Sequence, residues 1–232
     1  MFYSEKYKIL IIGIPKTGTV SIENAMLNVD KKGLTHGITI NGRQYSPSSF
    51  SQGIINHARA SEFKTVLGDK EYNKLTTIAF LRNPYAKLVS AYHLTKSNPI
   101  FTRFKGKKKW LKRTMSYTLG VIAAKLLPFS LWIYVYPYRS SSSYILDLSG
   151  KCIVTHVGAT ENLEDDLNKF LEESNILKEG KQLEIRRSNT SKHNDYKEYY
   201  TTIWSRKLAY RKMQMDIVDY EKRFGKIQLH QI

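Results

Sequence analysis

Polar side chains suited to binding an oxyanion are grouped near the start of the chain: Lys16, Thr17, Thr19 and Ser21. They follow the apolar run 9–12 and precede helical spacing, so the sequence predicts a loop between a strand and a helix. The first N–H groups of a helix lack intrahelical acceptors and carry a partial positive charge. Gly18 lets the backbone approach an anion closely. We therefore predict a phosphate or sulfate site at this loop.

A second group of anion-binding residues follows the apolar run 78–81, which is typical of a buried strand. Arg82 stands at the predicted carboxyl end of that strand, and Pro84 suits the first position of a helix. Asn83, Lys87 and Ser90 then fall on one helical face. Because guanidinium offers several N–H donors in a fixed fork, Arg82 with Ser90 fits a terminal phosphate.

The two motifs, Pro-Lys-Thr-Gly-Thr-x-Ser over 15–21 and Arg-Asn-Pro over 82–84 with Ser90 and Tyr92, resemble those of sulfotransferases. These enzymes use 3′-phosphoadenosine 5′-phosphosulfate (PAPS) and release PAP, and the resemblance is to their glycan-modifying type. It implies that the first motif binds the 5′-phosphosulfate and that Arg82 and Ser90 bind the 3′-phosphate. Many such enzymes have Arg where this chain has Lys87. The first loop is not a Walker A motif, because Lys16 precedes Gly18.

Strands that alternate with helices predict an α/β fold with a mostly parallel central sheet flanked by helices. The same alternation implies three layers, and the resemblance implies that the fold is P-loop-like. We expect a single domain over 1–232, with a basic and hydrophobic insertion at about 101–146. Outside the motifs, the patterns predict a loop and further elements, in chain order: a loop over 33–56, a helix over 59–67, a strand over 152–157, a helix from Thr160 and a helix over 202–224.

The acceptor hydroxyl needs a base, and the resemblance places a His-Ala segment upstream of the Arg82 strand. His57, which precedes Ala58, is our candidate, because a neutral imidazole is available near pH 7. His36 is the alternative, while His93 and His156 are expected to line the pocket and the core. The segment 189–196 is similar to the family's late loop over the nucleotide, which makes Lys192 a candidate donor-binding residue beside Ser191.

The 232-residue chain has a formal net charge of +17, and between Glu71 and Asp147 it has 13 Lys and Arg but no acidic residue. Such a field concentrates anions: PAPS itself, an acidic glycan, anionic lipid or nucleic acid. The hydrophobic segment 115–137 lies in the same interval. It is interpreted as a flap or an interfacial anchor rather than a membrane span, and a peripheral membrane contact through 103–137 is expected.

A single cysteine, Cys152, excludes an internal disulfide, and no signal peptide is visible, so we expect a cytoplasmic protein that is membrane-associated at most. No metal-ligand spacing is found. The sequence thus predicts PAPS-dependent transfer of sulfate to a carbohydrate or glycolipid hydroxyl, with Lys16 and His57 catalytic and no nucleic-acid partner. The alternatives are a P-loop kinase, and a non-catalytic basic module that binds membrane or nucleic acid.

Overall fold

The computed structural model describes residues 1–40, 42–45, 50, 56–99, 110–177, 180–186 and 194–229, and in the helix beginning at Trp110 it describes side chains from Thr118 onward. The chain divides into two compact units. The first unit comprises Met1–Asn83 and Ser140–Thr190, and the second comprises Pro84–Arg139 and Ser191–Ile232.

The first unit is built on a four-stranded sheet of β1 (Phe2–Ser4), β2 (Ile9–Ile12), β5 (Thr76–Leu81) and β6 (His156–Ala159), in that spatial order. β2 pairs in parallel with β5, and β5 with β6, whereas β1 is antiparallel to β2. The three parallel strands therefore end at one edge, where ligands of such sheets bind. The predicted mixed α/β class with a mostly parallel sheet flanked by helices is confirmed.

One face of this sheet is covered by α1 (Thr19–Val29) and α7 (Leu163–Glu173). Ile22 and Met26 of α1 and Leu167 of α7 pack against Ile11 and Phe80 in a buried core. Burial of this apolar area fixes the helix starts against the strand ends, which positions the loop between β2 and α1.

Two short helices, α2 (Ala60–Leu67) and α3 (Asp69–Tyr72), lead into β5. The predictions of a strand over 9–12, of a helix after the loop that follows it and of a helix over 59–67 are confirmed by β2, α1 and α2. The predicted loop over 33–56 is wrong in part, because it contains the antiparallel hairpin of β3 (Ile38–Ile40) and β4 (Arg43–Tyr45).

The strand predicted over 152–157 is observed four residues later in the chain, as β6 (His156–Ala159). Cys152 is half-buried and forms an isolated bridge with Leu146, and the strand itself begins at His156. Apolar periodicity alone does not distinguish these two kinds of pairing, because both bury alternate side chains. The helix expected from Thr160 opens as one 3-10 turn, Thr160–Asn162, before α7.

The second unit is helical in its described part: α4 (Pro84–Ser97), α5 (Trp110–Leu126), α6 (Phe129–Val135) and α8 (Ile203–Phe224). Tyr85, Tyr92, Phe129, Trp132 and Tyr200 form an aromatic core between these helices. Among the described residues, none of the helices combines the length and hydropathy needed to cross a bilayer.

Candidate active site

The loop after β2 is bent by two residues with positive φ, Lys16 at 72° and Gly18 at 77°. Gly18 is the N-cap of α1, and its left-handed conformation is one that glycine adopts without steric cost. Gly13 begins the loop at a close approach, since a Cβ there would lie 2.1 Å from the Asn56 carbonyl oxygen. The loop therefore reverses direction tightly between the strand and the helix.

Two of the predicted donor hydroxyls hold this bend together. Thr17 Oγ1 donates to the Ile14 carbonyl oxygen at 2.9 Å, and Thr19 Oγ1 donates to the same oxygen at 3.0 Å. By contrast, the backbone N–H groups of residues 16–20 have no acceptor within the described part of the chain. Successive amide donors at the start of a helix are the arrangement that binds phosphate or sulfate.

Arg82 lies against the same loop, because its Nη1 donates to the Lys16 carbonyl oxygen at 3.2 Å. Burial lowers the pKa of the Lys16 ammonium, and the Arg82 charge lowers it further. Among the described residues Lys16 forms no ion pair with a carboxylate. Lys16 and Arg82 are therefore neighbouring cations, and no described carboxylate pairs with Lys16. A bound dianion would relieve the repulsion between the two charges.

The loop after β6 completes this edge of the sheet. Thr160 Oγ1 contacts the Thr17 carbonyl oxygen at 3.5 Å, and the Glu161 carboxylate accepts the Asn83 N–H at 2.9 Å. Glu161 thus holds the turn that follows Arg82. We did not predict this tie. The parallel order of β2, β5 and β6 was the signal for it, because three adjacent strand ends bring their loops into contact.

His57 lies at the base of the loop, with its Nδ1 2.8 Å from the Gly13 carbonyl oxygen. A carbonyl oxygen only accepts, so Nδ1 carries the hydrogen. A neutral imidazole in this tautomer has its lone pair on Nε2, as a base toward a hydroxyl requires. The β2–α1 loop therefore holds the His57 ring at its first residue and carries Lys16 further along.

The remaining histidines have other surroundings. His36 is exposed, and its Nδ1 contacts Thr35 Oγ1. His93 lies in the second unit and shares a hydrogen bond with the Tyr199 hydroxyl at 2.7 Å. His156 begins β6 as a partly exposed side chain that contacts the ring of Phe170, so it is not the buried core residue that we expected.

Ser90 and Lys87 both lie on α4 in the second unit, and both are buried. Lys87 Nζ donates to the Arg139 carbonyl oxygen at 2.7 Å and lies 3.8 Å from Asp216 Oδ2. The Tyr138 hydroxyl donates to the same carboxylate oxygen, and its ring lies under the Lys87 ammonium. Lys87 is therefore engaged inside the second unit, and nothing in these contacts assigns it to phosphate.

Burial strongly affects this cluster of Lys87, Tyr138 and Asp216. It lowers the pKa of Lys87 to about 8, against the opposing effect of the Asp216 carboxylate. It also raises the pKa of the Tyr138 hydroxyl, with Asp216 adding to the increase. The cluster is a buried, hydrogen-bonded ion pair whose charges are compensated within the fold.

Ser21 is buried on α1 and lines a groove of about 500 Å³ between α1 and the segment 183–186. Asn24, Asn28, Leu183 and Arg186 are further lining residues, so the groove offers both amides and apolar surface. Lys192, Ser191, His193 and His230 lie outside the described residues. Within those residues, no group of three or more His, Cys, Asp or Glu side chains is arranged to hold a metal ion.

The first unit thus brings together Lys16, Thr17, Gly18, Thr19 and Arg82. His57 contacts the first residue of this loop, and Ser21 lies on the helix that follows it. Amide donors and two cations bind and polarise an oxyanion, and a neutral imidazole removes a proton from a nucleophile. This combination suits transfer of an anionic group to a hydroxyl.

Comparison with known proteins agrees with this chemistry. A family model described as "Sulfotransferase family" matches residues 1–133, which include the β2–α1 loop, His57 and Arg82. Comparison with curated proteins and with solved structures gave no match.

Proposed function

The chain belongs to the sulfotransferase family, and from this premise we propose that it transfers the sulfuryl group of PAPS to a hydroxyl of a carbohydrate acceptor. The observation that carries the proposal is the β2–α1 loop, where amides without a described acceptor, Lys16 and Arg82 converge. Family membership supports sulfuryl transfer, and such enzymes generally take the group from PAPS. The donor and the acceptor are our inference.

In the proposed reaction, the amides of residues 16–20 and the Lys16 ammonium hold the 5′-phosphosulfate. The acceptor oxygen attacks sulfur in line, and the bond between sulfur and the bridging oxygen breaks. Lys16 stabilises the negative charge that develops on the departing phosphate oxygen, and PAP leaves. Because Lys16 has no carboxylate partner among the described residues, its charge is available for this task.

His57 is the proposed base. Its Nδ1 hydrogen is donated to Gly13, so the acceptor proton would move to Nε2, and the resulting imidazolium would be stabilised by that same carbonyl. Gly13 begins the loop that holds the donor, so one short segment would align the base with the sulfur. This supports His57 over His36, which is exposed and contacts Thr35.

We propose binding residues for the 3′-phosphate and the nucleoside of the donor from the resemblance and from the chemistry of the side chains. Arg82 and Ser90 are the proposed ligands of the 3′-phosphate, and Lys192 is a further proposed contact. The groove beside Ser21 has a volume within the range of small-molecule sites and would accommodate a nucleoside. We propose a carbohydrate or glycolipid acceptor because the motifs resemble those of the glycan-modifying type.

The direct test is transfer of ³⁵S-sulfate from PAPS to a panel of polysaccharides and glycolipids, together with thermal shifts by PAP and by Mg-ATP. We expect labelled product, and stabilisation by PAP that exceeds stabilisation by Mg-ATP. Stabilisation by Mg-ATP alone would favour a phosphotransferase. Folded protein that neither binds PAP nor labels any acceptor would refute the proposal.

The base is tested separately with His57→Asn, whose side-chain amide retains an N–H donor for Gly13 but has no basic nitrogen. We expect kcat to fall about 100-fold while PAP affinity is retained. His36→Asn is the matched control and should leave kcat unchanged. Equal effects of the two substitutions would remove His57 from this role.

A further inference from the structure

The helices α5 and α6 in the second unit each have a buried face and an exposed apolar face. Val121 and Ala124 of α5 are buried, as are Phe129, Trp132 and Ile133 of α6. All of them except Val121 belong to one hydrophobic core with Tyr92 of α4 and Met213 of α8. The buried faces therefore explain how these helices are held in the unit. Core packing does not require their opposite faces to be apolar.

The opposite faces are apolar as well. We call them the α5–α6 outer face, formed by Leu119, Leu126, Leu131, Tyr134 and Val135. Each of these side chains is between 51% and 76% exposed. Leu119 and Leu126 are seven residues apart on α5, and the other three are spaced by three and four on α6, so each set shares one helical face. Scattered exposed leucines are ordinary, but exposed apolar residues that share a face on each of two consecutive helices indicate a binding surface.

The charge of this region restricts the partner. The sequences of α4, α5 and α6 contain no acidic residue, and exposed Lys125 lies beside Leu126. The sequence immediately before α5 adds Arg103, Lys105, Lys107, Lys108 and Lys109. A second copy of this chain would bring the same positive charges together, which opposes self-association through this face. The partner must be anionic and must also accept apolar side chains.

We propose that the α5–α6 outer face docks on the surface of a bilayer that contains anionic lipid. A lipid interface supplies negative headgroups above an apolar layer, which matches leucines beside basic residues and the interfacial Tyr134. Neither described helix is both long and apolar enough to cross the bilayer, so we expect both to lie along its surface. This docking does not depend on the sulfotransfer chemistry, so it can fail while the proposed function holds.

The test is flotation of the full chain with vesicles of phosphatidylcholine, with and without phosphatidylglycerol. Wild-type protein should bind the mixed vesicles, bind the neutral ones much more weakly, and lose binding at high salt. Leu131→Glu should weaken binding about tenfold, since it removes an apolar contact and adds a repelled charge. Leu131→Ala should weaken it in the same direction but less.

The matched control is Leu148→Glu, which makes the same substitution at a fully exposed leucine in the first unit. It should bind vesicles like the wild type. Thermal melting and PAP binding of each variant establish that the fold is intact and measure the donor site independently.

The proposal would be overturned by equal loss in Leu131→Glu and Leu148→Glu, or by equal wild-type binding to neutral and mixed vesicles. It would also be overturned by a dimer that Leu131→Glu converts to a monomer, because the face would then join two copies. Binding to polyglutamate beads without binding to vesicles would overturn it as well, in favour of an acidic protein partner.

Discussion

Two lysines, one in each unit, differ in how the fold treats the same charge. Burial lowers the pKa of both Lys16 and Lys87. Lys87 is compensated by Asp216 and by the Arg139 carbonyl oxygen, so its charge is used within the second unit. Lys16 instead faces Arg82, a like charge, and has no carboxylate partner in the described residues.

From this difference we assign Lys87 to the structure of its unit, and it supports the proposal that Lys16 binds a ligand. A compensated ion pair gains nothing from an added anion, whereas two adjacent cations at a helix start bind one favourably. Both lysines lie near a helix start in the sequence, so the partner rather than the residue type decides the role. Substitutions at the two positions should therefore affect different measurements.

Lys16→Met should separate the two lysines most clearly. Loss of the ammonium that stabilises the leaving phosphate should lower kcat/KM about 1000-fold. The free energy of unfolding should not fall, because no described ion pair is broken and the repulsion between Lys16 and Arg82 is removed. Sulfate transfer and urea unfolding of the same preparation measure both quantities. An unfolded Lys16→Met variant would contradict the assignment.

Lys87→Met should give the opposite result. It removes the cation beside the buried Asp216 carboxylate, to which the Tyr138 hydroxyl still donates, and this should cost about 3 kcal/mol of unfolding free energy. Urea denaturation measures this loss. Lys87→Met/Asp216→Asn should recover part of it, since the uncompensated charge is then gone. If Lys87→Met is as stable as the wild type, the cluster is not structural.

The pH dependence of stability sharpens the comparison at Lys87. Because its folded pKa of about 8 lies below the unfolded value, the unfolded chain binds the proton more tightly between these values. The contribution of Lys87 to the free energy of unfolding is therefore lowest below pH 8. It increases by roughly 2 kcal/mol as the pH rises toward 10. Above pH 10 the tyrosines with pKa values raised to about 12, such as Tyr72 and Tyr85, oppose it.

The measurement is urea unfolding from about pH 7 to 10 of wild type and of Lys87→Met. The difference between the two curves isolates Lys87 from the other groups that titrate in this range. Parallel curves would mean that the Lys87 pKa is ordinary.

Tyr138→Phe should produce the smallest effect. It removes the hydroxyl that donates to Asp216 but keeps the ring under the Lys87 ammonium. We expect a loss of about 1.5 kcal/mol in unfolding free energy, and unchanged PAP affinity. Thermal melting with and without PAP measures both. A change in PAP affinity larger than the change in stability would connect this cluster to the donor site.

The parts of the fold and site that local sequence determines were predicted well. The β2–α1 loop needs a strand, a turn with Gly18 and a helix start, and all of these are encoded within a few residues. The same is true of Leu81-Arg82 before Pro84. Parallel pairing of β2 with β5 then follows from the alternation of strands and helices, and it brings Arg82 to Lys16.

What depends on distant residues was not predicted. Nothing near Lys87 in the sequence indicates Asp216, which reaches it from α8. The Leu146–Cys152 bridge and the hairpin of β3 and β4 likewise depend on which backbone segments pair, and the hydrophobic periodicity of the sequence does not indicate this. We also did not predict that the Thr17 and Thr19 hydroxyls donate to the Ile14 carbonyl oxygen, because a hydroxyl can donate equally well to a ligand or to a carbonyl oxygen.

The left-handed backbone of Lys16 has a consequence for protein engineering. A lysine at φ 72° costs about 1 kcal/mol more than a glycine would in the same conformation. Lys16→Gly would therefore relax the turn while deleting the cation. Because Lys16 is the proposed donor-binding cation, we expect a library selected for heat tolerance alone to enrich inactive proteins at this position, and directed evolution would have to select for turnover in the same round.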